Sequence, residues 1–401
     1  LTIEAITGSQ RNTLHNSLEL IKHLKELQGN YRSLKYTEIM FVIDEIKTLI
    51  EECKKYGTLP FSNIARHAFI AESLLRSLII RGVIKEERIS IFKKSFMTIA
   101  GEMSRDLYKM ESGDFSVKEF SSVYGHLRPS SYDILSLRYA DRGEIFDGKY
   151  FKPKKLENFE LSEKEHRGIQ KILDEHRFEG ITAPDIFNYA KTAIIGREYA
   201  KFIFTKHLSR ILELISYWGN HFNLTREQLS MLSISDVLEV PYEPLHSKYE
   251  EYFLKKIELK EENMRIASSF KLSYLIRSTK DLYIVPVQRS LPNFIGNRKV
   301  EGEVILLNPH DEKIPNLKDK IICIEGADPG YDWIFSRDIL GLITKYGGVN
   351  SHMAIRCYEL GITAAIGIGE QLYKKIQSPH NYFGKYYHIR SYDSAKARGQ
   401  I

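Results

Sequence analysis

Between about Thr13 and Leu275 the apolar residues recur every three or four positions. The stretch SLELIKHLKELQ sets Leu18, Ile21, Leu24 and Leu27 along one stripe, the spacing that buries a single helix face. TEIMFVIDEIKTLIEECKKYG repeats the pattern, with Thr37 placed to cap its start and Gly57 to end it. Further helices are expected in SNIARHAFIAESLLRSLIIRG, ERISIFKKSFMTIAGEMSRDLYKM, SEKEHRGIQKILDEHRF, TREQLSMLS and the long APDIFNYAKTAIIGREYAKFIFTKHLSRILELISYWGNHF. Short polar or glycine-bearing joints separate them, which predicts helices packed against their neighbours.

After about Leu275 the period shortens. DLYIVPV, GEVILLN, DKIICIEG, LGLITKYGG, TAAIGIG and YYHIRSY are brief β-type runs bounded by glycine, proline, asparagine or aspartate. One helix is expected at Ser351 to Leu360 and another at Tyr331 to Arg337, giving a compact α/β unit. The expected fold class is multidomain α and α/β: a mainly helical domain over residues 1–275, a hinge over 276–293, and an α/β domain over 294–401.

Composition narrows the functional classes. The 401 residues are 43% hydrophobic and 27% charged, enough for a sizeable core. Their 58 basic and 52 acidic residues are spread without a long single-sign block, so no nucleic-acid partner is expected. Cys53, Cys323 and Cys357 lie far apart and form no CxxC pair, which offers neither a disulfide framework nor a metal cluster and suggests a reducing compartment. No apolar run of membrane-spanning length and no secretory leader occurs, so a cytoplasmic location without a membrane partner is expected. The chain opens on Leu1 within polar, helical text, which points to a longer protein with a part upstream.

Candidate chemistry concentrates in YGGVNSHMAIRCYELGITAAIGIGE, Tyr346 to Glu370. Asn350 or Ser351 can cap a helix whose apolar contacts are Met353, Ile355 and Leu360, and Gly361 is placed for a left-handed C-terminal cap. His352 then stands on the first turn, where unpaired N–H groups and the helix dipole favour an anion, and Gly347 and Gly348 leave its approach clear. Neutral imidazole is a competent nucleophile, and a phosphoryl group on it would be stabilised by that helix start and by the hydroxyls of Ser351 and Thr344. A surface histidine near a helix start has the same spacing. Farther upstream, YGHLRPSSYDILSLRYADRG offers Arg128, Asp133 and Arg138 from one irregular segment, either to grip a small zwitterion or to hold an inter-helix loop by its own ion pairs.

GGVNSHMAIRCYELGITAAIG resembles the signature of the phosphohistidine swivelling domain of phosphoenolpyruvate-utilising enzymes. Thr344, Gly347, Gly348, Ser351, His352, Ala354, Ile355, Glu359, Leu360, Gly361, Ile362, Ala364 and Gly367 match it in register. GEVILL and DKIICIEGADPGYDWIF resemble that domain's opening strands and its DPDW-type turn. The resemblance implies that His352 is phosphorylated. Asn350 replaces the usual threonine, Cys357 and Tyr358 a common Ala-Arg pair, and Thr363 a proline; these departures alter the partner surface and make Arg356 a substitute for the missing arginine.

The upstream segment resembles the YGHRGPGEYDL region of phosphoenolpyruvate-synthase-like phosphotransferases, and GREYAKF resembles their REExK helix. This implies acceptor-binding roles for Arg128, Asp133, Arg138, Arg197, Glu198 and Lys201, with His126 as a general acid or base. A solvated helix face with i,i+4 pairing is the other reading of Arg197, Glu198 and Lys201. The family implies ATP and Mg²⁺, held by an ATP-grasp domain; no such pattern and no glycine-rich phosphate loop occurs in this chain, so that domain is expected upstream as a partner. GHLRPSSYDI is most like members that phosphorylate the side-chain amide of L-glutamine, which makes L-glutamine the expected acceptor. Pyruvate and rifamycin-type antibiotics are acceptors elsewhere in the family, and a non-enzymatic phosphohistidine carrier is the remaining alternative.

Overall fold

Capping residues set the helix boundaries of the computed structural model, which describes residues 9–31, 39–142, 155–178, 180–239, 249–270, 272, 276–283, 291–296, 298–311, 314–349, 351–377 and 386–389. Ser116, Ser162, Thr182 and Thr225 each close a capping box with an acidic or amide side chain three residues on, and helices Val117–Tyr124, Glu163–Glu175, Ala183–His221 and Arg226–Met231 start there. Thr98 caps Ile99–Ser112, whose end is the left-handed Gly113. Thr37 lies outside the described residues.

The 39-residue helix Ala183–His221, roughly 58 Å long at 1.5 Å per residue, is the spine of the helical part. Helices Ser9–Leu27, Ile39–Glu52 and Leu59–Ile80 pack along it. Ile21, Leu24, Ile64, Leu75, Ala193 and Phe204 form the core of one end, and Val42, Ile46, Leu214, Trp218 and Phe253 that of the other. Truncating Phe204 or Trp218 to alanine would cost about 3–5 kcal/mol. Gly57 does not end its helix as expected. It sits in a π-helical turn, Cys53–Thr58, that runs directly into Leu59–Ile80, and a Cβ there would lie 2.9 Å from Phe204 Cβ. Glycine at this position lets the turn approach the spine.

The α/β part is a six-stranded sheet in the order β1-β5-β4-β3-β2-β6. Its strands are Asn293–Ile295 (β1), Val300–Leu307 (β2), Ile321–Gly326 (β3), Gly341–Tyr346 (β4), Thr363–Ile366 (β5) and Tyr386–Ile389 (β6). β2 to β5 are parallel, and β1 and β6 close the two edges antiparallel. The central strands are buried on both faces, which is why β3 and β5 read as continuous apolar runs rather than alternating ones. One strand expectation and one helix expectation change. Asp281 and Leu282 of DLYIVPV belong to a short 3-10 turn, Thr279–Leu282, and residues 284–290 of the expected hinge lie outside the described residues. The helix expected at Tyr331 to Arg337 is a 3-10 helix, Pro329–Ser336.

One face of the sheet packs on helix Gly369–Gln377 through Tyr373 and Ile376. On the other face Ile322, Ile324, Trp333, Ile334, Met353 and Cys357 share a core with Met103, Leu107, Phe120, Tyr124 and Tyr139 of the helical part. Polar contacts stitch the same seam. Tyr139 Oη donates to Gly330 O at 2.6 Å, Ser131 Oγ to Asp328 Oδ1 at 3.2 Å, Arg142 Nη2 to Pro309 O at 2.5 Å and Arg356 Nη2 to Ser104 Oγ at 3.2 Å. Gly330 is pressed so closely on the Arg128 backbone that an added Cβ would fall 1.8 Å from Arg128 O. Among the described residues no helix is long and apolar enough to cross a membrane.

Candidate functional site

His352 opens the helix His352–Leu360. Ser351 caps it by accepting from Ala354 N at 3.4 Å, and Gly361 ends it with φ 70°. The His352 ring is not loose at that helix start. Its Nε2 lies 2.7 and 2.8 Å from the two carboxylate oxygens of Asp332, on the 3-10 helix Pro329–Ser336. The side chains are 11% and 5% exposed, and Arg356 Nε stands 3.9 Å from Asp332 Oδ1. Burial disfavours the imidazolium, but the charge and hydrogen bond of Asp332, aided by Glu198 and opposed by Arg356, outweigh it and raise the imidazole pKa above its ordinary value.

A cavity of about 310 Å³ opens against this pair, at the seam between the two parts. Its polar lining includes Ser131, Arg197, Glu198, Lys201, Asp332 and His352; Phe61, Ile99, Met103, Leu127 and Phe202 give it apolar walls. Arg197, Glu198 and Lys201 come from the middle of the spine helix, with the Arg197 guanidinium 5.5 Å from the Phe69 ring centre and Lys201 Nζ 3.6 Å from Asp328 Oδ2. These three, read from the sequence as acceptor residues, therefore stand opposite His352.

The Tyr124–Gly143 segment behaves differently. Arg128 is 2% exposed and spends its guanidinium on the carbonyls of Asp133 and Ser136, on Ser209 Oγ at 2.9 Å and on Glu213 Oε1 at 3.2 Å. Arg138 makes two bonds to Asp141, 2.7 and 2.8 Å, and Asp133 holds Leu135 N at 2.9 Å and His310 Nε2 at 2.6 Å. None of the three lines the cavity. His126 is fixed by Phe202 O, 3.1 Å from its Nε2, and burial pushes its pKa down to about 3, which favours the neutral ring. The expected acceptor loop is a structural clamp and a seat for the α/β part. What it gives the cavity is Leu127, Ser131 and Tyr132.

The other expected phosphoryl-supporting residues divide as well. Ser351 lines the cavity beside His352. Thr344 is fully buried, and its hydroxyl accepts from Gly367 N at 3.0 Å, so it ties β4 to the end of β5 instead of facing the ring. Gly347, with φ 137°, packs where a Cβ would meet Ala327 at 3.0 Å, whereas Gly348 stands in open space. Asp332 is the functional candidate that the sequence reading missed. Its signal was the second aspartate of the DPGYDW turn.

Residues 316–380 match the family model of the PEP-utilising enzyme, mobile domain. The match spans β3 to β5 and both flanking helices of the α/β part, including His352 and Asp332, and supports a phosphohistidine-carrying phosphotransferase. No curated protein sequence matches the chain.

Proposed function

We propose that this chain is the acceptor-binding and phosphoryl-carrying portion of an ATP-dependent phosphotransferase, in which a phosphoryl group resides on His352 and passes to a small molecule in the cavity. The observation that carries the reading is the placement of His352 on a capped helix start, inside a matched mobile domain, facing a cavity shared with Arg197, Glu198 and Lys201. Covalent storage on histidine splits one difficult displacement into two easier ones, and a tethered carrier keeps the effective concentration high. Among the described residues no group of histidine, cysteine, aspartate and glutamate side chains is arranged to hold a metal ion. In this reading ATP and Mg²⁺ would be held by an ATP-grasp domain upstream, and the β-phosphoryl of ATP would reach His352 when the α/β domain moves to meet it.

L-Glutamine is the acceptor this reading favours. The cavity is of a size for an amino acid, Glu198 can meet an ammonium group, and Arg197 and Lys201 can meet a carboxylate or the incoming phosphoryl group. The apolar walls Phe61, Ile99, Met103 and Phe202 favour a second reading, an acceptor whose reactive group sits on an apolar body, as in antibiotic phosphotransfer. Phosphorus NMR of the full-length protein with ATP, Mg²⁺ and L-glutamine, beside His352→Asn, tests both. AMP with a new phosphoramidate resonance, absent from the variant, establishes glutamine; AMP and phosphate without an adduct move the search to apolar acceptors. No AMP at all leaves a carrier phosphorylated by another protein.

A further inference from the structure

The geometry points to Asp332 as the group that carries the proton on and off His352 Nε2 during phosphoryl exchange, an inference that rests on phosphoryl transfer through His352. At 2.7 and 2.8 Å from Nε2, the carboxylate requires a proton between the two groups, because a bare nitrogen lone pair facing a carboxylate at that distance would be repelled. Among the described residues, Asp332 is the side chain hydrogen-bonded to the ring. The remaining charged groups that face it are Arg356 on its own helix and Glu198, Arg197 and Lys201 on the spine helix.

Asp332 is also held firmly enough to serve. Its short helix is capped by Asp328, which accepts from Gly330 N at 2.8 Å, and pinned across the seam by Tyr139 at Gly330 O. Both partners also line the cavity, which gives the proton a route to and from solvent. A group fixed at this distance meets the geometric condition for a general base.

The proton count closes in both directions. When His352 is phosphorylated, the P–Nε2 bond forms, the bond from phosphorus to the donor's leaving group breaks with its electron pair, and the Nε2 proton moves to Asp332 and on to solvent. The carboxylate contact opens as the phosphoryl enters. In onward transfer the acceptor's nucleophile bonds to phosphorus, the P–Nε2 bond breaks with its pair going to the ring, and the acceptor's proton passes through Asp332 to Nε2. The pair seen in the structure is thereby restored.

Potassium phosphoramidate, a small donor that transfers its phosphoryl group to histidine with loss of ammonia, tests this on the chain without ATP. Phosphohistidine at position 352 is followed by phosphorus NMR and mass spectrometry in wild type, Asp332→Asn, Asp332→Glu and a His352→Asn blank, across pH. Asp332→Asn is expected to slow labelling about 10²-fold and to alter its pH profile, with partial recovery in Asp332→Glu. Equal rates and profiles in wild type and Asp332→Asn would overturn the proposal. Nitrogen NMR of histidine-labelled wild type decides even where a variant does not fold: a proton on Nε2 at neutral pH is expected, and a bare Nε2 overturns it. Wild type that gives no phosphohistidine at 352 would remove the phosphoryl reading itself and the proposal with it, an outcome distinct from the others.

Discussion

Among the described residues, two largely enclosed histidines face carboxylates, and only one of them lines a cavity. His207, on the spine helix, is 0% exposed; its Nε2 lies 3.0 Å from Glu52 Oε2, while its Nδ1 receives Tyr31 Oη at 2.8 Å and Gln28 Nε2 at 3.1 Å. An amide N–H can only donate, so Nδ1 is the acceptor and Nε2–H donates to Glu52. Both nitrogens are consumed, and the ring joins three helices. His352 has a carboxylate of the same kind at Nε2, but it stands on a helix start and lines a cavity. A carboxylate partner alone does not make a histidine reactive; room beside the ring for a ligand does.

The largest effect should separate the two outright. His352→Asn is expected to abolish phosphohistidine formation, whereas His207→Ala should be labelled like wild type, as read by mass spectrometry after phosphoramidate treatment. Labelling that survives in His352→Asn would end the distinction. Stability should show the converse. His207→Ala strands Glu52, Gln28 and Tyr31 in the bundle and should cost about 3 kcal/mol, measured by urea unfolding, because buried polar groups lose their partners.

The next effect sharpens the difference in architecture. His207 is enclosed by the helical part alone, whereas the walls around His352 come from both parts. Gly330→Ala, whose Cβ would fall 1.8 Å from Arg128 O, should unseat the 3-10 helix at a cost of about 1–3 kcal/mol. It should raise the rate at which diethyl pyrocarbonate modifies His352 and leave His207 protected. Equal protection of both rings in the variant would show that the seam does not guard His352.

What the sequence made legible follows from range. The helix with His352 at its start is written within ten residues by Ser351, the apolar spacing and Gly361, and the structure has it there. β3 to β5 were likewise legible, because doubly buried parallel strands are continuous apolar runs. For Arg128, Asp133 and Arg138 the sequence left two readings open, because a cluster of charges looks alike whether it meets a ligand or its own neighbours. The deciding partners Ser209, Glu213 and His310 lie far away in sequence. Asp332 was hidden for the same reason: twenty residues and a β-strand separate it from His352.

The smallest effect is a difference of sign with pH. At His352, burial opposes charging, but Asp332 prevails and the pKa is raised above 6.5. The folded chain then holds this proton more tightly than the unfolded one, so the stabilisation is complete below the unfolded value and is lost as pH rises through the raised one. At His207, burial prevails over Glu52 and the pKa is lowered, so its contribution is present above 6.5 and lost as pH falls through the lowered value. The stability penalty of His352→Asn should therefore shrink as pH increases from 5 to 9, and that of His207→Ala should grow. Urea midpoints of both variants against wild type across that range measure the two slopes. Parallel slopes would mean that the two histidines sit in equivalent electrostatic surroundings, and that the room beside His352 has no bearing on how tightly it holds its proton.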